Sequence, residues 1–399
     1  MSDSALLNII HRASVLLPTD PERALEDLKG YQQTYSENPL FLTTLGEAYL
    51  ETSDVESAFT VLSKACELDP IADKGIEKFF HLGQIIGGEN GVQLLEVGIA
   101  RLIKQAQILQ SLSTEEINND ENLDEGVKIL LQAYGSEEKI SEYIISKLTQ
   151  GISAIIEIWM TDLCMLPQAE EECEKWSKTL SDMCFDNPET HSIIASVRIS
   201  QQKLQDAINE INISWDLFQK KKQSLEDIAN NPSNNNIDPD EVEMMYIELY
   251  QPLIILAKYA IECGMFEIAS NIASSARDIN EEGVEAMYVE GFSNYLEAIR
   301  IQNNISEENS INIGREFENY TLNKNVNEDD KSFEFINASR LALSSAVKSL
   351  HDRELAAQID EELQSTIKSL LEKVGGFLLK EKDDSGIDEN NWEDEIPEN

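Results

Sequence analysis

Basic residues are scarce in this chain of 399 residues. It holds 31 lysines and arginines against 75 aspartates and glutamates, which gives a formal net charge of −44 at pH 7. Surfaces that bind nucleic acid or anionic membranes need clustered cations, so this imbalance argues against direct contact with either. The composition favours a basic protein, or a basic segment of one, as the partner.

Cysteine, glycine and proline are also few. The five cysteines form no CxxC pair and no disulfide framework, which predicts a reducing compartment, either cytosol or nucleus. With 18 glycines and 10 prolines, the chain has few turn residues for a many-stranded β protein. Since 41% of its residues are hydrophobic, it can bury a core. The composition predicts an all-α protein.

Long apolar runs are missing. No stretch approaches the roughly 18 to 20 apolar residues that span a bilayer. Residues 1–12 lack the basic and apolar regions of a secretory signal. The sequence therefore predicts neither a membrane segment nor an exported chain.

The sequence offers no recognisable catalytic constellation. Its four histidines are scattered and none lies in an HExxH motif. The glycines at 83–91 lack the Lys-Ser/Thr of a phosphate-binding loop. We therefore predict a protein that is not an enzyme, with no catalytic residue, cofactor or metal site.

Internal repeats are what the chain does contain. Residues 39–70 read PLFLTTLGEAYLETSDVESAFTVLSKACELDP, which has the spacing of a tetratricopeptide repeat (TPR). Gly46, Ala58 and Ala65 fall where the two antiparallel helices of a repeat approach closely, and the larger Leu45 and Leu62 fill the space between them. Further copies begin at Pro188 and Tyr250, and weaker ones bring the total to six or seven hairpins.

The predicted architecture is a TPR-like helical-hairpin solenoid, a right-handed superhelix, over residues 1–378. Polar, Asn-rich loops near 111–122 and 230–240 and a mobile insert at 303–331 interrupt the repeat phase. Two helices, 333–350 and 354–374, are expected to cap the C-terminal end. Residues 379–399 are expected to form an acidic disordered tail.

The first helices of TPR hairpins line the concave face of the superhelix, so their inward positions predict a partner-binding surface. Carboxylates alternate there with apolar side chains, which suits an extended basic segment with hydrophobic anchors. The predicted concave-face residues are Leu40, Glu47, Glu51, Glu77, Ile158, Asp162, Glu189, Ile254, Glu262, Glu285, Tyr288 and Phe292.

Three stretches carry a more specific resemblance: LTTLGEAYLETSDVESAF, AIIEIWMTDLCMLPQAEEECEKW and the acidic end NWEDEIPEN. With them the chain resembles the fungal TPR-repeat assembly chaperones dedicated to large-subunit ribosomal protein four. The resemblance implies a client, meaning the protein that a chaperone binds, that is basic and is captured one-to-one in the cytoplasm. It further implies shielding of the client's long basic internal loop and escort into the nucleus for assembly of the large ribosomal subunit.

The sequence leaves two alternatives open. A generic acidic TPR scaffold would share the fold without selecting one ribosomal protein. An escort for histones or import cargo would also bind a basic client through its negative charge, but the client would be a different protein.

Overall fold

A computed structural model describes residues 3–111, 123–230 and 239–377, and every regular element in these ranges is helical. The chain divides into two compact units, which we call the N-terminal unit (Met1–Gln201) and the C-terminal unit (Gln202–Asn399). The prediction of an all-α fold is confirmed. Of the loops predicted near 111–122 and 230–240, residues 112–122 and 231–238 lie outside the described residues, as does the predicted tail at 379–399; the loop ends at 111, 230 and 239–240 are helical.

The N-terminal unit consists of antiparallel helical hairpins that share one continuous hydrophobic core. Its described helices are α1 (Asp3–Leu16), α2 (Pro21–Lys29), α3 (Pro39–Glu51), α4 (Val55–Leu68), α5 (Glu77–Ile86), α6 (Gly88–Ser111), α7 (Glu125–Tyr134), α8 (Glu137–Met160), α9 (Ala169–Met183) and α10 (Pro188–Ser200).

The hairpin α3/α4 confirms the strongest repeat prediction. Asn38 caps α3 by accepting a hydrogen bond from the amide of Phe41, and Asp54 caps α4 in the same way. A Cβ on Gly46 would lie only 2.5 Å from Leu62 Cδ2, so glycine is what allows the two helices to approach. Ala58 and Ala65 are fully buried in the same interface.

The next elements depart from regular repeats, because α6 and α8 are both 24 residues long. The sequence places the start of a repeat near Gln150, but α8 already begins at Glu137. The long helices pack around Phe80, with Gly98 and Gly151 both close to its ring; a Cβ on Gly98 would lie 2.5 Å from Phe80 Cε1. Side-chain packing here overrides the repeat phase.

Two buried cations, Lys78 and Arg101, form ion pairs in the N-terminal unit. The Lys78 side chain is fully buried, and its Nζ lies 2.8 Å from Asp69 Oδ2. Asp69 also accepts the amides of Asp73 and Lys74, so the bend between α4 and α5 is fully bonded. Arg101, with a side chain only 3% exposed, pairs with Asp124 and, at 2.9 Å, with Asp73.

The C-terminal unit also contains antiparallel helical hairpins. Its described α-helices are α11 (Leu204–Asn230), α12 (Pro239–Ile247), α13 (Tyr250–Glu262), α14 (Phe266–Ile279), α15 (Val284–Gln302), α16 (Ile311–Glu316), α17 (Phe333–Ser349), α18 (Arg353–Gln358) and α19 (Glu361–Lys373). The hairpin α13/α14 confirms the repeat predicted from Tyr250. Its small residues are all fully buried: Ala257, Ala260, Ala269, Ala273 and Ala276.

The segment predicted as a mobile insert, 303–331, is instead built into this unit at least as far as Leu322. It holds α16 and two 3₁₀ turns, Glu307–Asn309 and Phe317–Asn319. Ile313 is fully buried, and Phe317, Tyr320 and Leu322 pack against the core around α15 and α17. The prediction of a mobile insert counted the apolar residues of this segment without knowing which surface they could meet.

The C-terminal helices also differ from the sequence prediction. The segment predicted as one helix over 354–374 is split into α18 and α19, because Asp360 caps a new helix by accepting the amide of Glu362. In α19, Ile367, Leu370 and Leu371 are buried, whereas Glu361 and Glu362 are exposed. The last described helix of the unit is therefore apolar on one side only.

Candidate functional site

Two predicted concave-face carboxylates meet two tyrosines on the N-terminal unit. Glu77 in α5 accepts a 2.6 Å hydrogen bond from the hydroxyl of Tyr143 in α8. The ring of Tyr143 lies 4.9 Å, centroid to centroid, from that of Tyr134 in α7. Glu47 in α3 lies 3.5 Å from Nε2 of His81, one turn beyond Glu77 in α5. We call these five residues the tyrosine–carboxylate cluster.

The electrostatics of the tyrosine–carboxylate cluster are those of an anionic site with neutral phenols. Burial raises the pKa of Tyr143, and the charges of Glu77 and Glu47 raise it further. Burial, followed by the charge of Glu77, also raises the pKa of Tyr134. Both hydroxyls therefore stay protonated at neutral pH, when carboxylates carry negative charge.

The backbone beside the cluster leaves room around Glu77. Gly75 has a φ of 90°, a conformation that favours glycine. A Cβ there would lie 3.0 Å from Glu77 Oε2 and 3.8 Å from Leu40 Cδ2, so the predicted residue Leu40 borders the same place. Glu51, at the end of α3, is exposed.

The other predicted residues of the N-terminal unit do not join the cluster. Ile158 is 7% exposed and belongs to the core, so its assignment to an open face was wrong. Asp162 is exposed but accepts the amide of Gly88 at 3.0 Å, at the first residue of α6, where a carboxylate stabilises the helix N-terminus. Glu189 is half-buried in the first turn of α10.

In the C-terminal unit the predicted face is largely occupied by the chain itself. Ile254 is fully buried, so its assignment was also wrong. Glu285 is neutralised by Lys258 at 2.7 Å, whereas Glu262 is exposed. Tyr288 and Phe292 stack with ring centroids 5.8 Å apart, and Phe317 meets Phe292 edge-on at 5.1 Å. The segment around Phe317 thus covers part of this aromatic surface.

Tyr134, Tyr143 and His81 were missed by the sequence reasoning. Tyr134 and Tyr143 lie in α7 and the first half of α8, outside any recognised repeat, so no template position pointed to them. His81 lies four residues after Glu77, a spacing that places both on one face of a helix and that could have been used.

The described residues offer binding chemistry of a simple kind. Within residues 3–111, 123–230 and 239–377, no three His, Cys, Asp or Glu side chains converge as a metal site would require. No helix in these ranges is long and apolar enough to cross a bilayer. What the tyrosine–carboxylate cluster offers is negative charge beside aromatic rings, which attracts cationic groups.

Comparison with known proteins adds a specific likeness. Residues 282–388 match the family described as ACL4 C-terminal domain. A probable assembly chaperone of rpl4 from Schizosaccharomyces pombe is 24% identical over 398 residues, covering 98% of this chain and 96% of the relative.

A solved structure supports the fold. Residues 1–338 of an assembly chaperone of RpL4, named Acl4, superpose with a TM-score of 0.52 at 23% identity. The match covers 75% of this chain and 98% of that structure. The resemblance predicted from the sequence is thereby confirmed: along nearly its whole length, this chain is similar to fungal assembly chaperones of the ribosomal protein RpL4.

Proposed function

We propose that this chain is a dedicated, non-enzymatic chaperone that binds newly made RpL4. The observation that carries the proposal is the similarity to a probable assembly chaperone of rpl4 over 98% of the chain. The charge of the molecule agrees with it, since a net charge of −44 suits a client rich in lysine and arginine.

The mechanism that we propose is physical shielding. A ribosomal protein segment made to contact RNA carries unpaired cations until the RNA is present. Carboxylates such as Glu47 and Glu77 supply substitute counter-charge, and Leu40 and the cluster tyrosines offer adjoining apolar surface. Ribosomal RNA, a denser polyanion, would then displace the chaperone by competing for the same cations.

We further propose that the chain binds RpL4 one-to-one in the cytoplasm and accompanies it into the nucleus. Similarity to the relatives supports the choice of client, while the compartments rest on where large ribosomal subunits are assembled. A fluorescent fusion that is excluded from the nucleus when RpL4 is being imported would contradict this part.

Copurification from the native cell tests the function. The tagged chain should retain RpL4 in near-equal amount and release it as salt rises, because the contacts are largely electrostatic. Many partners in unequal amounts would favour a generic acidic scaffold, and a retained histone or import cargo would favour the other escort. Retention of RpL4 that is indifferent to salt would contradict the shielding mechanism.

A further inference from the structure

The carboxylates of the tyrosine–carboxylate cluster are not paired with a lysine or arginine among the described residues. Glu47 lies 3.5 Å from Nε2 of His81, and Glu77 accepts the hydroxyl of Tyr143. The contrast with Glu285, which Lys258 neutralises at 2.7 Å, is direct.

The geometry leaves acceptor atoms and ring surface available together. The Tyr143 hydroxyl donates to Glu77 Oε1, and Glu77 Oε2 lies beside Gly75, where the missing side chain avoids a close contact with this oxygen. Tyr134 is 37% exposed, so part of its ring can be reached from outside. Glu47, whose side chain is 27% exposed, is near enough to Tyr143 for its charge to act on that phenol.

Resting on the proposed function, we propose that the tyrosine–carboxylate cluster is a binding site for one arginine side chain of the client's basic segment. A guanidinium is planar, so it can bond to a carboxylate through two N–H groups and stack on an aromatic face at once. An ammonium group is more strongly hydrated and lacks a flat face, so lysine satisfies only the charge. The cluster therefore selects arginine over lysine.

Paired peptides test this selectivity on the full-length chain. The probes are two fluorescently labelled peptides of alternating Gly and Arg, or of alternating Gly and Lys, with equal length and charge. We expect the wild-type chain to bind the arginine peptide about five-fold more tightly, as one desolvated stacking contact provides. The ratio of the two affinities cancels the general attraction of an acidic protein for any cation.

Matched variants test whether the tyrosine–carboxylate cluster causes the preference for arginine. Glu47→Gln with Glu77→Gln should reduce the arginine-to-lysine ratio to below about two-fold. The control, Glu56→Gln with Glu67→Gln, removes the same charge from exposed positions of the neighbouring helix α4 and should keep the wild-type ratio. Tyr134→Leu should lower the ratio by about two- to three-fold through loss of the ring face, whereas Tyr143→Phe, which keeps its ring, should retain it. Circular dichroism establishes that each variant is folded.

The outcomes separate this site from the proposed function. Equal binding of both peptides by the wild-type chain, or a preference that survives Glu47→Gln with Glu77→Gln, overturns the arginine site even if RpL4 binds. If RpL4 does not bind in the same assay while the arginine preference depends on the cluster, the choice of client is overturned and the arginine site stands. If Glu47→Gln with Glu77→Gln fails to fold, Tyr134→Leu tests the site independently: an unchanged arginine-to-lysine ratio in that variant overturns it.

Discussion

The two units use the same repeat positions in opposite ways. In the N-terminal unit, Glu47 and Glu77 stand beside two tyrosines with no lysine or arginine paired to them among the described residues. In the C-terminal unit, Glu285 is paired with Lys258, and Phe317 lies against Phe292. A position on the inner side of a repeat therefore makes a residue a candidate for partner binding, and its neighbours decide whether it is available.

The largest expected effect is the loss of folding stability when the buried Lys78 is replaced, compared with the exposed Lys258. Lys78→Met should lower the free energy of unfolding by about 3–5 kcal/mol, because it leaves the carboxylate of Asp69 buried without its cation. Lys258→Met is the matched change at a solvent-exposed pair and should cost at most about 1 kcal/mol. Urea unfolding of both variants measures the difference. Equal losses would contradict the contrast between a buried and an exposed pair.

The second prediction asks whether the segment around α16 is part of the C-terminal core. Ile313 is fully buried, so Ile313→Ala should cost about 2–5 kcal/mol. The control, Ile255→Ala, truncates a side chain that is 42% exposed and should cost less than about 1 kcal/mol. If thermal unfolding shows no difference between the variants, the segment does not contribute to the core.

Charge reversal tests which unit attracts the client. Glu47→Lys with Glu77→Lys should weaken RpL4 binding by about ten- to hundred-fold, because cations then face the basic segment. Glu262→Lys with Glu285→Lys should have a smaller effect, since Glu285 is already neutralised by Lys258. Titration calorimetry at one fixed salt concentration makes the comparison. A larger loss from the C-terminal pair would reverse our assignment of the binding surface.

The smallest expected effect is an opposite response to acid. Burial raises the pKa of Asp69, but the hydrogen bond from Lys78 and those from backbone amides outweigh it and leave the pKa lowered. This carboxylate thus contributes stability above the unfolded pKa, near 3.9, that is lost as pH falls through the folded pKa. Burial raises the pKa of Glu290 despite Arg277, so its protonation favours folding as pH falls below its folded pKa toward the unfolded value.

The variants Asp69→Asn and Glu290→Gln measure the two pH dependences of folding stability. Relative to Asp69→Asn, the wild-type chain should lose stability below about pH 4. Relative to Glu290→Gln, it should gain stability as the pH is lowered from neutral toward the usual pKa of a glutamate, near 4.3. Each change should amount to about 1.4 kcal/mol per unit of pKa difference between the folded and unfolded chain. Parallel pH profiles for the two pairs of proteins would contradict the opposite assignments.

The sequence predicted the hairpins well because they depend on local spacing. Gly46 faces Leu62 as the repeat requires. In α13/α14 the small residues that the repeat predicts, from Ala257 to Ala276, are fully buried. The candidate site was predicted only in part. Glu47 and Glu77 were identified, but Ile158 and Ile254 were misplaced because the template gives the direction of a side chain and not which other residues bury it.

The contacts that could not be predicted from the sequence have one cause in common. Tyr143 reaches Glu77 from a helix distant along the chain, and Tyr134 packs against the ring of Tyr143. Phe317 reaches Phe292 from a segment without recognisable periodicity. Such contacts arise from tertiary packing, and no spacing rule along a single chain reports them.

The one-sided helix α19 has a consequence for how molecules of this kind meet each other. Stacked hairpins leave an apolar surface at the last repeat, and a second copy could continue the stack there. Ile367, Leu370 and Leu371 cover that surface in the C-terminal unit, while Glu361 and Glu362 turn a charged side outward. Because this charged side offers a second copy no apolar surface to stack on, we expect α19 to disfavour end-to-end association of two chains at this helix.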